Sequence, residues 1–136
     1  MDGYRVEVSS SFAEFWRYNV ALMCGCFDGT DTRTGFVAAE DAVADVGSGL
    51  TAPPADYPAA RKAVLDIPEA ARLVLCVYVV PHTLPAGTEV SECGPFPLGL
   101  RIVHAGREIL KEERLINQWS GTSIELHVEG DRIGPR

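Results

Sequence analysis

The sequence predicts a mainly β fold, a β-roll or jelly-roll-like β-sandwich with two or three short helices. Apolar and polar residues alternate at Tyr4–Val8 and Ile124–Val128, which is typical of half-buried strands. A third run, Leu98–Ile102, alternates in the same way, and glycines and prolines separate these runs. The length of 136 residues suits a single domain over residues 1–136, large enough to bury a core.

The stretch Leu84–Gly106 is expected to organise the rest of the chain. It opens with Leu-Pro-Ala-Gly, breaks at Gly94-Pro95, and closes at Gly106 after its alternating run. Its prolines prevent a helix, and its glycines permit the turns.

One short helix is predicted after a Ser-x-x-Glu capping box at Ser11–Glu14. A strand over Tyr18–Cys24 is the alternative. Apolar side chains follow the capping box at helical spacing and are expected in the core: Phe12, Phe15, Trp16, Val20 and Met23.

Further short helices are predicted at Val37–Val46, at Pro58–Leu65 and from Ile67 to Arg72. The Pro-rich segment Thr51–Tyr57 is interpreted as a loop within the domain. Leu73–Val80 is apolar at nearly every position, so periodicity leaves both a buried strand and a buried helix open.

Two turns are expected near the C-terminal strands, a charged one at Lys111–Arg114 and a second at Asn117–Thr122. The alternation around them predicts a set of buried strand positions. These are Leu100, Ile102, Ile124, Leu126 and Val128.

The formal net charge of −7 and the pI near 4.9 argue against binding to nucleic acid or to an anionic membrane surface. No apolar run approaches the ~20 residues of a membrane-spanning helix. The N-terminus lacks the apolar core of a signal peptide, so an intracellular location is predicted.

The four cysteines, Cys24, Cys26, Cys76 and Cys93, are expected to be reduced in that compartment. Cys24 and Cys26 form a Cys-x-Cys pair without the partner ligands that a tetrahedral zinc site needs, so no metal is predicted there. Asp28–Asp31 lacks the residue order and closing Glu of an EF-hand, which favours a polar turn. No cofactor is predicted.

A set of catalytic residues is not evident in the sequence, and no Walker or Rossmann glycine motif is present. His127 alternates with Glu125 and Glu129 on a polar strand face, where a solvated histidine is expected. A small enzyme using Cys93 with His82 or His104 is an alternative that the sequence leaves open.

Spaced glycines and a helix-start motif resemble part of a cyclic-nucleotide-binding domain. The matching residues are Ile67-Pro68-Glu69-Ala70-Ala71, Pro85-Ala86-Gly87, Gly94, Gly106 and Gly130-Asp131-Arg132-Ile133-Gly134. The resemblance covers about half of the chain and implies a β-roll. In that family, a Glu for the ribose and an Arg for the phosphate follow the last motif. Here Pro135 holds the Glu position, so no nucleotide site of the family type is expected.

The function predicted by elimination is that of a non-catalytic interaction or structural module within a larger assembly, with protein partners. The alternative is a sensor that binds a small anionic ligand. Its candidate ligand-binding residues are Arg101, Arg132 and Arg136.

Overall fold

A computed structural model, which describes residues 3–85 and 94–135, shows two antiparallel β-sheets packed face to face. The strands are β1 (Gly3–Ser9), β2 (Tyr18–Phe27), β3 (Arg33–Asp41), β4 (Ala63–Pro68), β5 (Arg72–Pro81), β6 (Phe96–His104), β7 (Arg107–Ile116), β8 (Thr122–Glu129) and β9 (Arg132–Pro135). The helical content of the described residues is one 3-10 helix, Phe15–Arg17. The prediction of a mainly β sandwich is therefore confirmed, and the prediction of two or three short helices is wrong.

The four-stranded sheet has the order β4-β1-β6-β7, and the five-stranded sheet has the order β3-β2-β5-β8-β9. Within Leu84–Gly106, the alternating run forms β6, which lies between β1 and β7 inside the four-stranded sheet. The part of this stretch from 86 to 93 lies outside the described residues. Among the helices that are described, none is long and apolar enough to cross a membrane.

The core lies between the two sheets and is built from alternate residues of the inner strands. In β5, for example, Leu73, Leu75, Val77 and Val79 are buried, and the residues between them face outward. The predicted core positions are confirmed, because all five are at most 4% exposed: Leu100, Ile102, Ile124, Leu126 and Val128.

The helix predicted after Ser11–Glu14 is limited to a single 3-10 turn, and the alternative strand over Tyr18–Cys24 is correct, as part of β2. Phe15 still reaches the core, and Phe12 stacks on Phe96 with ring centroids 4.8 Å apart. Met23, predicted to be in the core, points outward and is 38% exposed. The period of two in β2 therefore overrides the helical spacing of its apolar residues.

Four other local predictions are wrong. Val37–Val46 forms the second half of β3 and a loop, because β3 pairs along β2. Residues 58–62 have no regular structure, and from Ala63 the chain pairs with β1 as β4. The segment from Ile67 to Arg72 joins β4 to β5, and Lys111–Arg114 lies within β7. The parts of these segments that form strands are held by pairing with other strands, β3 with β2, β4 with β1 and β7 with β6, which local propensity does not register.

Leu73–Val80 is a strand, which resolves the ambiguity between strand and buried helix. As part of β5 it pairs with β2 on one side and with β8 on the other. Its outward-facing residues are also apolar, which is why the sequence shows no alternation there.

Candidate protein interface

The outer surface of the four-stranded sheet is covered by paired charges. Glu7 on β1 lies 3.2 Å from Arg101 and 3.5 Å from Lys62. Arg101 also contacts Glu108, with Nε and Oε2 2.6 Å apart, and Arg5 pairs with Asp66. This pattern is typical of a solvated sheet face.

A groove of about 560 Å³ crosses this charged surface. Its floor lies where Ser9 and Gly99 pair across β1 and β6, since both residues are small. A Cβ atom on Gly99 would come to 3.4 Å from the carbonyl oxygen and the hydroxyl of Ser9. Lysine and glutamate side chains line its walls, so the groove has no single sign of charge.

The outer surface of the five-stranded sheet is different, because β3, β2 and β5 carry apolar or small residues there. In the strand register, Ala38 on β3 lies beside Met23 on β2, and Met23 lies beside Cys76 on β5. We call this surface the apolar face. It consists of Ala21, Met23, Phe36, Ala38, Val74, Cys76, Tyr78 and Val80.

Several side chains of the apolar face are open to solvent. Phe36 is 56% exposed, Val80 is 42% exposed and Met23 is 38% exposed. A shallow depression of about 290 Å³ lies on the same face, lined by Ala21, Met23 and Ala38 among others. Exposed apolar residues that cluster on one face, rather than scattering singly, mark contact surfaces.

The four edge strands also differ in how they are protected against pairing. Edge strand β7 carries Glu112 and Arg114, which form an ion pair on the inward side of the strand, and β9 spans only four residues. Edge strand β4 carries Asp66 and ends at Pro68. Charges, prolines and short length are the usual protection of sheet edges.

Edge strand β3 has no such protection along most of its length. Between Arg33 and Glu40 it reads Thr-Gly-Phe-Val-Ala-Ala, with neither a charge nor a proline. Its last residue, Asp41, is held by Arg61, which donates to the Asp41 carboxylate at 3.1 Å and to its carbonyl oxygen at 2.8 Å. The open edge and the apolar face therefore meet on one strand.

Arg101 and Arg132, two of the three arginines predicted to bind an anion, are not brought together. Arg101 lies on the charged surface, where the adjacent carboxylates, first Glu108 and then Glu7, raise its pKa above the ordinary value. Arg132 lies on β9 at the outer surface of the other sheet, in a groove of about 330 Å³ with Arg72 and His127. Arg136 lies outside the described residues.

The histidines occupy three unrelated places. His82 is buried, its Nε2 donates to the Trp16 carbonyl at 2.7 Å, and its Nδ1 lies 2.8 Å from the Thr83 hydroxyl. His104 contacts Asp131 and Glu69 through its two ring nitrogens. His127 lies beside Glu125 on the outer surface, with Nε2 and Oε2 3.0 Å apart. Cys93, the predicted alternative nucleophile, lies outside the described residues.

Cys24 and Cys26 point into the core and are free thiols, as is Cys76 on the apolar face. Burial raises the pKa of Cys24 from 9.0 to about 12, which keeps this thiol protonated and unreactive at neutral pH. Within residues 3–85 and 94–135, no group of three or more His, Cys, Asp or Glu side chains is placed to hold a metal ion.

The polar turn predicted at Asp28–Asp31 is confirmed. One carboxylate oxygen of Asp28 accepts hydrogen bonds from the Thr30 amide at 2.8 Å, the Thr30 hydroxyl at 2.7 Å and the Thr32 amide at 3.1 Å. These bonds, that of the Thr30 hydroxyl first, hold the pKa of Asp28 below its ordinary value. The carboxylate thus serves an Asx-type turn.

The apolar face was not predicted from the sequence, although a signal for it is present there. Leu73–Val80 is apolar on both faces of its strand, and a strand with two apolar faces is typical of sheets that are covered on both sides. Ala21 and Met23 add the same signal on β2, where they occupy the outward positions. Because both faces of Leu73–Val80 are apolar, the sequence could not distinguish a strand from a helix there. The same property makes this strand part of the apolar face.

No protein-family model matches this chain, and no curated protein matches it. Two solved structures are similar to it over most of their length. One is a DUF4425 family protein from Bacteroides ovatus, with 10% identity, a TM-score of 0.37, and coverage of 94% of this chain and 94% of that chain. The other is a domain of unknown function, DUF4425, from Bacteroides vulgatus, with 11% identity, a TM-score of 0.44, and coverage of 94% of this chain and 96% of that chain. Neither likeness supports a statement about function.

Proposed function

We propose that this chain is a non-catalytic protein-interaction module that contributes its apolar face to a larger assembly. The observation that carries the proposal is the outer surface of β5, where Val74, Cys76, Tyr78 and Val80 replace the polar residues of a solvated strand. A sheet with apolar residues on both faces gains stability when its second face is covered. We also propose that this β-sandwich is of the jelly-roll or β-roll type.

The contrast between the two outer surfaces supports the assignment. The outer surface of the four-stranded sheet carries the paired charges of Glu7, Arg101 and Lys62, as is typical of a solvent-exposed sheet face. The apolar face presents Phe36 and Met23 in the same kind of position. Aromatic and Met side chains are enriched in interface cores, and charged residues are depleted there.

A paired-variant capture experiment tests this function. Phe36→Glu places a charge in the apolar face, and Leu115→Glu is the matched control, because Leu115 is 72% exposed on β7 of the other sheet. Affinity capture from the source cells is quantified for the wild-type chain and both variants. We expect a partner that the wild-type chain and Leu115→Glu retain and that Phe36→Glu loses by about tenfold or more.

Thermal unfolding of the variants provides the folding control, since both substitutions lie at exposed positions and should leave the melting temperature nearly unchanged. Equal recovery of every partner by Phe36→Glu and the wild-type chain would refute the assignment of this surface.

An anion sensor is the second candidate, and the groove beside Arg132 favours it. Arg132 has no ion pair with another described residue, and Arg72 and His127 line the same groove. Glu129 lies there too and weakens the positive field. Thermal shift with inorganic phosphate and pyrophosphate separates the two functions. The sensor predicts a rise in melting temperature that Arg132→Ala abolishes, and the interaction module predicts none.

A further inference from the structure

Edge strand β3 is self-complementary in charge. It begins at Arg33 and ends at Glu40 and Asp41. Arg33 and Glu40 are exposed, and neither forms an ion pair with any other residue within the described ranges. An antiparallel strand of the same sequence would bring Arg33 of each copy beside Glu40 of the other, so the pairing would occur twice.

The register of such a pair follows from the alternation of side chains. Residues that pair across two strands lie on the same face of the sheet, so only registers that match outward with outward positions are allowed. Pairing centred on Val37 places Val37 opposite Val37 of the second copy and Phe36 opposite Ala38. β3 carries an extra residue at Thr34, because Gly35 pairs with Cys26 while Arg33 pairs with the next residue, Phe27. This irregularity turns Arg33 to the outward face that Glu40 also occupies, and it brings Arg33 opposite Glu40 of the second copy instead of Asp41. Shifting this register by two residues leaves fewer positions paired and separates the charges.

The shape of the apolar face fits this register. Phe36 of one copy would lie over the small side chain of Ala38 of the other, next to the shallow depression that Ala21 and Ala38 line. The same contact recurs on the other side of the two-fold axis. Each exposed Phe36 ring is thereby partly covered, which the isolated chain does not achieve.

We propose that a second copy of this chain pairs with β3 along its open edge. The two strands run antiparallel about a two-fold axis through Val37, and the two five-stranded sheets form one continuous sheet with one extended apolar face. This inference rests on the proposed interaction function and names the first partner of that surface. An edge-to-edge contact buries less area than a standard interface, so we expect a dissociation constant of about 1–100 μM.

Sedimentation velocity with charge-swapped variants tests the pairing. Arg33→Glu places a Glu beside Glu40 of the second copy at both ends of the interface, and Glu40→Arg places two arginines together. We expect each single variant to weaken the dimer by about tenfold. The double variant Arg33→Glu/Glu40→Arg restores opposite charges across the axis and should return the dissociation constant to within about threefold of the wild-type value.

Disulfide trapping tests the register with a matched pair of variants. Val37→Cys places two thiols across the two-fold axis, where paired strand residues are close enough for a disulfide, whose Cα atoms lie within about 7 Å. Ala39→Cys is the control on the same inward side of β3. Its two thiols would lie four residue positions apart along the strand direction, about 13 Å. Oxidation should give covalent dimer with Val37→Cys and only background with Ala39→Cys.

The results separate this inference from the proposed function. A wild-type chain that remains monomeric up to about 1 mM, tenfold above the weakest expected dissociation constant, overturns self-pairing. A dimer that neither charge variant weakens overturns the register, as does equal trapping of the two cysteine variants. If the chain is monomeric and Phe36→Glu still loses a different protein in the capture experiment, the interaction function stands and its partner is not a second copy.

Discussion

The phenol ring of Tyr4 lies flat on the imidazole ring of His104, with ring centroids 3.9 Å apart and planes 3° from parallel. The two ring nitrogens of His104 lie 2.7 Å from Asp131 and 2.8 Å from Glu69. Tyr4 donates a hydrogen bond to the Gly130 carbonyl at 3.1 Å. The contact therefore joins β1 and β6 of one sheet to the turn between β8 and β9 of the other.

His104→Phe should lower the free energy of unfolding by about 1–2 kcal/mol. Phenylalanine keeps the stack on Tyr4, but it leaves the carboxylates of Asp131 and Glu69 without the hydrogen-bond donors that lie between them. His127→Phe is the control, because His127 is more exposed and, among the carboxylates of the described residues, contacts only Glu125. Urea unfolding measures the free energy of unfolding of both variants. Equal losses would show that the contacts of His104 with Asp131 and Glu69 add no stability.

Alkaline pH should destabilise the fold through Cys24. Its thiol has a pKa of about 12 when folded against 9.0 for an exposed thiol, so the unfolded chain loses this proton first. Stability from this group is fully present below pH 9 and is lost as pH rises toward 12. Urea midpoints measured from pH 7 to about pH 10.5 should fall less steeply in Cys24→Val than in the wild-type chain. Cys76→Val controls for loss of a thiol at a half-buried site, and identical slopes for all three chains would contradict the prediction.

Strands with one polar and one apolar face could be predicted from the sequence. Tyr4–Val8 and Ile124–Val128 alternate strictly, and both are strands with the predicted inward faces. Val37–Val46 could not be placed, because its Ala and Glu residues suit a helix and its pairing with β2 is set by residues outside the segment. The alternation of polar and apolar residues is therefore sufficient to predict a strand only where one face of that strand is buried and the other faces water.

The candidate interface could not be predicted from the sequence, because the apolar outward side chains that form it also remove the alternation by which a strand is recognised. Val74, Cys76 and Tyr78 face outward, but their apolar character removed the alternation that would have assigned a strand. Arg101 and Arg132 were predicted as anion-binding residues instead, and the fold places them on the outer surfaces of different sheets. Which sheet face a residue occupies depends on long-range pairing, which a single sequence does not display.

Gly121→Ala should cost about 3 kcal/mol or more of stability. Gly121 has a φ of +66°, and a Cβ atom there would come to 2.0 Å from the carbonyl oxygen of Val79 on β5. Gly106→Ala is the control, because Gly106 has a φ of +79° but no atom within 4 Å of the added carbon. It should cost only the backbone strain, about 1 kcal/mol. Chemical denaturation of both variants measures the difference, and equal costs would show that the turn moves freely away from β5.

Cyclic AMP and cyclic GMP should not bind with a dissociation constant at or below about 10 μM, equivalent to roughly −7 kcal/mol. A buried cyclic phosphate needs paired cations and amide donors, and Arg101 is already occupied by Glu108 and Glu7. Arg132 lies on the outer surface of the other sheet, so the two guanidinium groups do not converge on one phosphate. Pro135, which follows Arg132 on β9, has no amide hydrogen to donate. Isothermal titration calorimetry measures this directly, and saturable binding near 10 μM that Arg132→Ala abolishes would favour the sensor over the interaction module.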